Sequence, residues 1–467
     1  MVFHGKNTFK LRFVKGNYII GEEAVRKERV RMQTYMCRPV PGNRRFEVSV
    51  PGSKSMTNRA LLMGALAEGR TVLKGVLFSD DSRVFMQALK MIGYEIEIKE
   101  EEKTVAIEGF GGEIPGDEET MRRIYVGSAG TAARFLTAFL GLSGKSFLME
   151  SSDQMKERPM KPLLRALEDL GVQFEFLDKP YAFPFQIKGR EEKDPEYIEL
   201  DIDQSSQFLS ALLLSGVMCR KGITIRLTGK RDARAYVTIS MKMMAQFGGR
   251  VEQLNKNTYR VMPGQRYKAG EYQIEPDVSA ACYFYAIAAI TGNEAKVMHV
   301  HSTTTQGDIR FLEVLEKMGC CLEEEKDGIV LTGPLSGKLK GIHVDMSDFS
   351  DQTMTLAAIA PFAADETVID GVGHIRRQES DRIRGIVTEL SRMGVRCEER
   401  EDGVTIHPGE VKPAIVQTYN DHRMAMAFAV TGCRADGIQI ADPECCRKTF
   451  ENYFEVLTNL DLTTNIE

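Results

Sequence analysis

An internal repeat constrains this chain more than any other feature. Six segments begin with a small or polar group and continue into an apolar helical run, opening at Ser55, Ser128, Ser205, Ser279, Asp351 and Asp421. Their spacings are 73, 77, 74, 72 and 70 residues, a nearly constant period. Each run leads into a β-type stretch, at residues 71–73, 146–148, 223–227, 295–298, 367–369 and 437–440. A second helical pattern follows in every unit. In the first five it closes on a glycine (Gly93, Gly171, Gly248, Gly319, Gly394), the residue that most easily takes the left-handed turn after a helix. The sixth runs out through residues 453–457. Short paired strands complete a unit, as in 94–98 with 104–107. A unit of about 70 residues scarcely buries two helices by itself, so the units must pack together. The chain therefore reads as α/β, and groups of three units would make two domains with a cleft between them. The period does not say which three units belong together.

Residues 1–38 stand outside the period. They carry nine Lys or Arg against three Glu, and 21–30 predicts a short, solvent-exposed helix on an N-terminal extension. Residues 46–50 form the first strand of the repeat proper. With 467 residues, 43% of them hydrophobic, the chain has apolar material for about two to three domain cores. A net charge of −5 gives no global basic field, so nucleic acid is not an expected partner and any anion must be held by local clusters. The nine cysteines form no CxxC pair and point to a reduced, cytoplasmic setting; no uncharged apolar run reaches the roughly 18 residues of a spanning helix. No membrane association is expected, and a monomer is.

Charged and polar groups recur where the helices begin. Pro51-Gly52-Ser53-Lys54-Ser55 places Ser53 as an N-cap and Lys54, Ser55 and Arg59 within about two turns of a helix start, where free N–H groups favour an anion. The second unit offers Gly127-Ser128-Ala129-Gly130-Thr131, then Arg134, and at its next helix Lys156-Glu157-Arg158-Pro159 with Pro159 as N1. The third supplies Ser205, Ser206, Gln207, Arg234 and Tyr236; the fifth Asp351 and Gln378-Glu379-Ser380-Asp381-Arg382; the sixth Tyr419-Asn420-Asp421-His422-Arg423 and Arg447-Lys448-Thr449. Taken singly, each has a bland reading as a cap or a surface charge. Together, Lys54, Arg59, Arg158, Arg382, Arg423 and Lys448 recur at one end of the repeat in an acidic protein. That pattern calls for substrates with several negative charges.

Pro51–Ser55, Ala129-Gly130-Thr131-Ala132, Glu157-Arg158-Pro159, Glu379-Ser380-Asp381-Arg382, the run from Tyr419 to Met426 and Lys448-Thr449-Phe450 together resemble the 5-enolpyruvylshikimate-3-phosphate (EPSP) synthase family, in order and at fitting spacing from about Arg45 onward. The resemblance implies two inverse α/β-barrel domains, each of three βαβαββ repeats, closing on substrates. It also implies the grouping: 39–52 plus 276–467 in one domain, 53–275 inserted as the other. The implied activity is transfer of the carboxyvinyl group of phosphoenolpyruvate to the 5-hydroxyl of shikimate 3-phosphate, with no cofactor and no metal. By position, Asp351 matches the group that takes the hydroxyl proton, Glu379 the proposed donor to C3, and Lys54 the alternative donor. Lys54, Gly130, Arg158, Gln207, Arg382, Arg423 and Lys448 match phosphoenolpyruvate positions. Ser55, Arg59, Ser205, Ser206, Gln207, Tyr236, Asp351 and Gln378 match shikimate 3-phosphate positions. His422 would orient rather than transfer protons. A proton donor at Glu379 calls for a raised pKa.

The chain departs from the family pattern in several places. Gln378 stands where Lys is usual, Ser128 where Asn is common, Ala233 where many members have Ser, His374 where some have Asn, and Phe135 where a smaller residue is common. Arg376 and Arg377 are the nearby cations able to replace the missing Lys. Inhibition by glyphosate is expected, with Gly130→Ala weakening it more than phosphoenolpyruvate. Two other readings stay open: an enolpyruvyl transferase for another acceptor, such as UDP-N-acetylglucosamine, and a non-catalytic paralogue that binds anionic metabolites.

Overall fold

A helix that is apolar on every side has to be surrounded, whereas one with a single apolar stripe lies between a core and solvent. Both kinds alternate in the computed structural model, which describes residues 34–116, 121–229, 234–334, 337–460 and 464–465. All thirteen residues of Gly130–Leu142 and all eleven of His422–Gly432 are buried. The second helices bury one stripe only: Leu163, Leu164, Ala166 and Leu167 in Lys161–Asp169, and Phe311, Leu312, Val314 and Leu315 in Arg310–Lys317. The largely buried helices Lys54–Leu66, Gly130–Leu142 and Gln207–Ser215 pack on one another, as do Val278–Thr291, Thr353–Ile359 and His422–Gly432. Sheets enclose each trio. Each Leu, Ile or Phe fully buried there contributes about 1.5–3 kcal/mol, and the two interiors are separate clusters, one spanning 56–274 and the other 37–50 with 278–457.

The second unit shows the βαβαββ pattern in full. Arg122–Tyr125 lies parallel to Phe147–Glu150, which pairs antiparallel with Phe185–Arg190, and Val172–Phe176 closes the sheet. The third and fifth units repeat this order. The first and fourth exchange their leading strands: Arg44–Val48 pairs in parallel with Glu294–Met298, and Glu271–Gln273 pairs in parallel with Glu68–Lys74. The two passages between the cores run side by side. Ser53 N donates to Glu275 O (2.8 Å) and Asp277 N to Pro51 O (2.8 Å).

Gly52 sits at this crossing, where a Cβ would come within 1.9 Å of the Gly75 carbonyl oxygen. Backbone on both sides leaves no room to yield. Gly52→Ala is expected to cost about 1–3 kcal/mol or more through overpacking, read as a lowered urea midpoint; an unchanged midpoint would refute the close-approach argument.

The sixth unit corrects the N-terminal boundary. Thr34–Met36, read from sequence as part of the extension, pairs antiparallel with Ile438–Ala441 and supplies the strand that this unit lacks at its own end. Tyr35-Met36-Cys37 is a three-residue run without alternation, so no strand signal preceded this pairing. Residues 1–33, including the helix predicted at 21–30, and Ala233 lie outside the described residues. Among the described residues, no helix is long and apolar enough to cross a membrane.

Candidate active site

Each unit's first helix begins at one cleft, so six N-terminal ends face a common space. Lys54, Gly130 and Gln207 are first residues of helices from one core; Ser279, Asp351 and Arg423 stand at helix starts from the other. All six line two adjoining cavities that share Lys54, Ser55, Tyr236, Asp351 and Arg423. Unpaired helix N–H groups and their positive dipole ends make such a space suited to anions. Among the described residues, the larger cavity is lined by Lys54, Arg59, Arg134, Arg158, Arg377, Arg382 and Arg423 against only Asp81, Asp351 and Glu379. Seven cations over three carboxylates give a strongly positive cleft in a protein of net charge −5.

Asp277 joins the two halves at their helix starts. It caps Val278–Thr291 by accepting from Ala280 N (3.2 Å), and it also accepts from Lys54 N (3.2 Å), the first residue of the other core's helix. Ser53 occupies the predicted N-cap position but makes no side-chain capping bond, because Asp277 is there instead. Lys54 Nζ lies 3.7 Å from Asp81.

Arg382 is the hub of the carboxylates. Its side chain is 1% exposed and contacts Asp351 Oδ1 at 3.2 Å, Glu379 Oε2 at 2.9 Å and Asp421 Oδ2 at 2.9 Å. Asp421 is wholly buried and also caps His422–Gly432 through Arg423 N (3.0 Å). The second oxygen of Asp351 accepts from Arg423 at 2.7 Å. Around Glu379 stand Lys448 at 3.6 Å and Arg158 at 3.8 Å, the latter from the other half. Gln154 Nε2 donates to the Glu379 carbonyl (3.2 Å), a second tie across the cleft.

This geometry sets the protonation states and overturns one expectation. Burial alone would raise the pKa of Glu379, as the sequence reading expects, but Lys448, Arg158 and Arg382 hold it well below the ordinary carboxylate value. Burial likewise pushes Asp351 up, yet Arg423 and Arg382 win and lower it. Both are ionised without ligand. Their stabilising ion pairs are complete above about pH 5 and are lost as pH falls below about 4 through the lowered folded-state values. His422 is neutral, kept so first by burial and then by Lys54 and Arg423.

Asp308 behaves oppositely. It is buried, lines the smaller cavity, accepts from Ser279 Oγ, and is pushed up to about 7 by burial and by the charge of Asp351. A raised folded-state value means stability that is full below about pH 4 and erodes as pH rises towards 7. Asp308→Asn removes that titration, so its thermal midpoint relative to wild type should rise by about 2 °C or more from pH 5 to pH 8, roughly the effect of 1 kcal/mol. An equal offset at both pH values would contradict it.

Every residue matched to a catalytic or substrate position, apart from Lys448, lines the larger cavity, and Lys448 reaches it through Glu379. Arg59 is present but engaged: its guanidinium donates to Ser240 Oγ (2.8 Å), Ser210 Oγ (3.1 Å) and the carbonyls of Ser55 and Tyr236, and it lies over the Phe135 ring. Phe135 therefore packs in the core beneath Arg59. Arg134 donates to Gln207 Oε1 (3.0 Å), Gly130 O (3.1 Å) and Pro159 O (3.0 Å), fixing three lining segments at once. Pro159 is not at N1; the helix starts at Lys161 with Pro162 in its first turn, and Arg158 sits in the connection before it. Asp81 and Asp308 line the cavities without having been assigned there by sequence reasoning, and of the two cations named as able to replace the missing Lys, Arg377 lines the larger cavity and Arg376 does not. Asp308 carried a usable signal, since it opens the fourth unit's second helix as Asp381 opens the fifth's.

Comparison with known proteins agrees across the chain. The family model for EPSP synthase (3-phosphoshikimate 1-carboxyvinyltransferase) matches residues 41–457. A 3-phosphoshikimate 1-carboxyvinyltransferase of Trichormus variabilis is 43% identical over 407 residues, covering 87% of this chain and 94% of that protein. The 3-phosphoshikimate 1-carboxyvinyltransferase 2 of Halalkalibacterium halodurans is 37% identical over 432 residues, covering 91% and 95%. Among solved structures, EPSP synthase from Acinetobacter baumannii superposes with a TM-score of 0.76 at 27% identity, covering 92% of this chain and 99% of that one.

Proposed function

The chain belongs to the EPSP synthase (3-phosphoshikimate 1-carboxyvinyltransferase) family of enzymes, and on that premise we propose that it joins phosphoenolpyruvate to the 5-hydroxyl of shikimate 3-phosphate and releases inorganic phosphate. One observation carries this reading most directly. Two part-buried carboxylates, Asp351 and Glu379, are bridged by a single guanidinium in a cleft otherwise dominated by cations.

Addition followed by elimination needs an acid and a base that exchange roles. Asp351, ionised between Arg382 and Arg423, is suited to take the proton of the 5-hydroxyl as its oxygen attacks C2. Glu379 gives a proton to C3 and recovers one as phosphate leaves. Its low pKa in the ligand-free site is compatible with this role, because the cations that depress it are those assigned to phosphoenolpyruvate: Lys448, Arg158 and Arg382. An anion bound to them offsets their field, so arrival of substrate turns Glu379 towards its protonated form. Lys54, Gly130, Gln207 and Arg423 complete the phosphoenolpyruvate end. Ser55, Arg59, Ser205, Ser206, Tyr236 and Gln378 line the shikimate 3-phosphate end. The two domains, 34–52 with 276–467 and 53–275, close over both.

Gly130 bears on glyphosate. A Cβ there would lie 2.6 Å from an Arg134 terminal nitrogen and 2.8 Å from one of Arg158. Gly130→Ala is therefore expected to move Arg158 and raise the KM for phosphoenolpyruvate about tenfold, a loss within the range for a hydrogen bond to a charged group, while also weakening glyphosate. Steady-state kinetics with and without glyphosate read both; an unchanged KM would refute the clash.

Phosphate release from shikimate 3-phosphate plus phosphoenolpyruvate tests the function, with one phosphate expected per enolpyruvyl product. Turnover only with UDP-N-acetylglucosamine would reassign the acceptor, and binding without turnover would leave an anion-binding paralogue.

A further inference from the structure

We infer that Arg377 is the cation that meets the phosphate of the acceptor, and so sets the preference for a phosphorylated substrate; this rests on the function proposed above. Most cations of the cleft are already committed to partners within the protein. Lys54 faces Asp81, Arg158 and Lys448 face Glu379, and Arg382 and Arg423 face Asp351. Arg59 and Arg134 are buried and tied to hydroxyls, carbonyls and Gln207. Arg377 alone among the cations of the described cleft is solvent-exposed with neither an ion pair nor a hydrogen bond.

Its neighbours are spoken for. Arg376, one residue back, is clamped by Asp381 (3.1 Å), Glu399 (2.9 Å) and the Arg400 carbonyl (2.7 Å), outside the cleft lining. Gln378 lines the cleft, but it is uncharged and its side-chain oxygen accepts from Arg382. The rest of the polar lining includes Ser55, Gln204, Ser205, Ser206, Gln207 and Tyr236, neutral hydrogen-bonding groups. A phosphate monoester carries nearly two negative charges at neutral pH and is best met by a planar guanidinium among such donors. Among the described residues, Arg377 supplies the one uncommitted guanidinium on the cleft lining.

The test uses the full-length enzyme and phosphate-release kinetics. Arg377→Ala should raise the KM for shikimate 3-phosphate about tenfold or more, as expected for loss of a charge-assisted contact, while kcat and the KM for phosphoenolpyruvate stay within about twofold. It should also erode the preference for shikimate 3-phosphate over unphosphorylated shikimate, measured by competitive inhibition, which a merely structural role would not do. Adding Gln378→Lys to Arg377→Ala should restore most of the KM, because a cation returns next door. A KM for shikimate 3-phosphate that does not change in Arg377→Ala, or rises equally with that for phosphoenolpyruvate, would overturn the assignment and leave the function standing. A wild-type enzyme without turnover on shikimate 3-phosphate would overturn the function, and this assignment with it.

Discussion

Glu379→Gln is expected to lose at least about 10²-fold in turnover, the scale of a lost general acid, while the protein keeps its affinity for both anionic substrates. The amide has the shape of the carboxylate and its oxygen still accepts from Arg382, which now lies 2.9 Å from Glu379 Oε2. It carries no proton that C3 of phosphoenolpyruvate can take. Removing the negative charge also leaves Lys448 and Arg158 without their carboxylate, 3.6 and 3.8 Å away in the wild type, so the cleft becomes more attractive to anions. A fall in kcat with an unchanged or lowered KM for phosphoenolpyruvate is therefore the signature, measured by steady-state phosphate release. Turnover near the wild-type level would remove Glu379 as proton donor and move the role to Lys54.

Arg382→Met should be the most damaging single substitution to the fold of the site. Methionine fills much of the space of the arginine stem, so the loss reports charge more than cavity. Asp421, with no exposure, would then be buried without a countercharge, and Asp351 and Glu379 would each lose one. Breaking a buried ion pair by deleting one partner costs about 3–5 kcal/mol. The urea midpoint should drop accordingly, and activity should vanish because both carboxylates rise in pKa. Arg382→Lys should retain part of the stability but little activity, since an ammonium cannot reach three carboxylates in one plane. A midpoint for the Met variant within about 1 kcal/mol of wild type would show that the hub is not what holds the three acids.

What the sequence by itself determined is whatever local chemistry and periodicity encode. The spacing of 70–77 residues placed six units, and the apolar runs behind each helix start placed their buried helices, because such a run has no face to offer water. Motif resemblance brought Lys54, Arg158, Asp351, Glu379, Arg382, Arg423 and Lys448 to one site, each at or near a helix start. Tertiary structure decided what depends on residues far apart in the chain. The strand at Thr34–Met36 exists because Ile438–Ala441 offers it an open edge, a pairing across about 400 residues that no local pattern announces. Asp277 caps Lys54–Leu66 in place of Ser53 because the two crossing segments are hydrogen-bonded side by side. The depressed pKa of Glu379 follows from cations contributed by three different units, whose summed field outweighs burial. Likewise Arg376 and Arg377 are adjacent and identical in sequence, and only the positions of Asp381 and Glu399 bind the first of them and leave the second to the cleft.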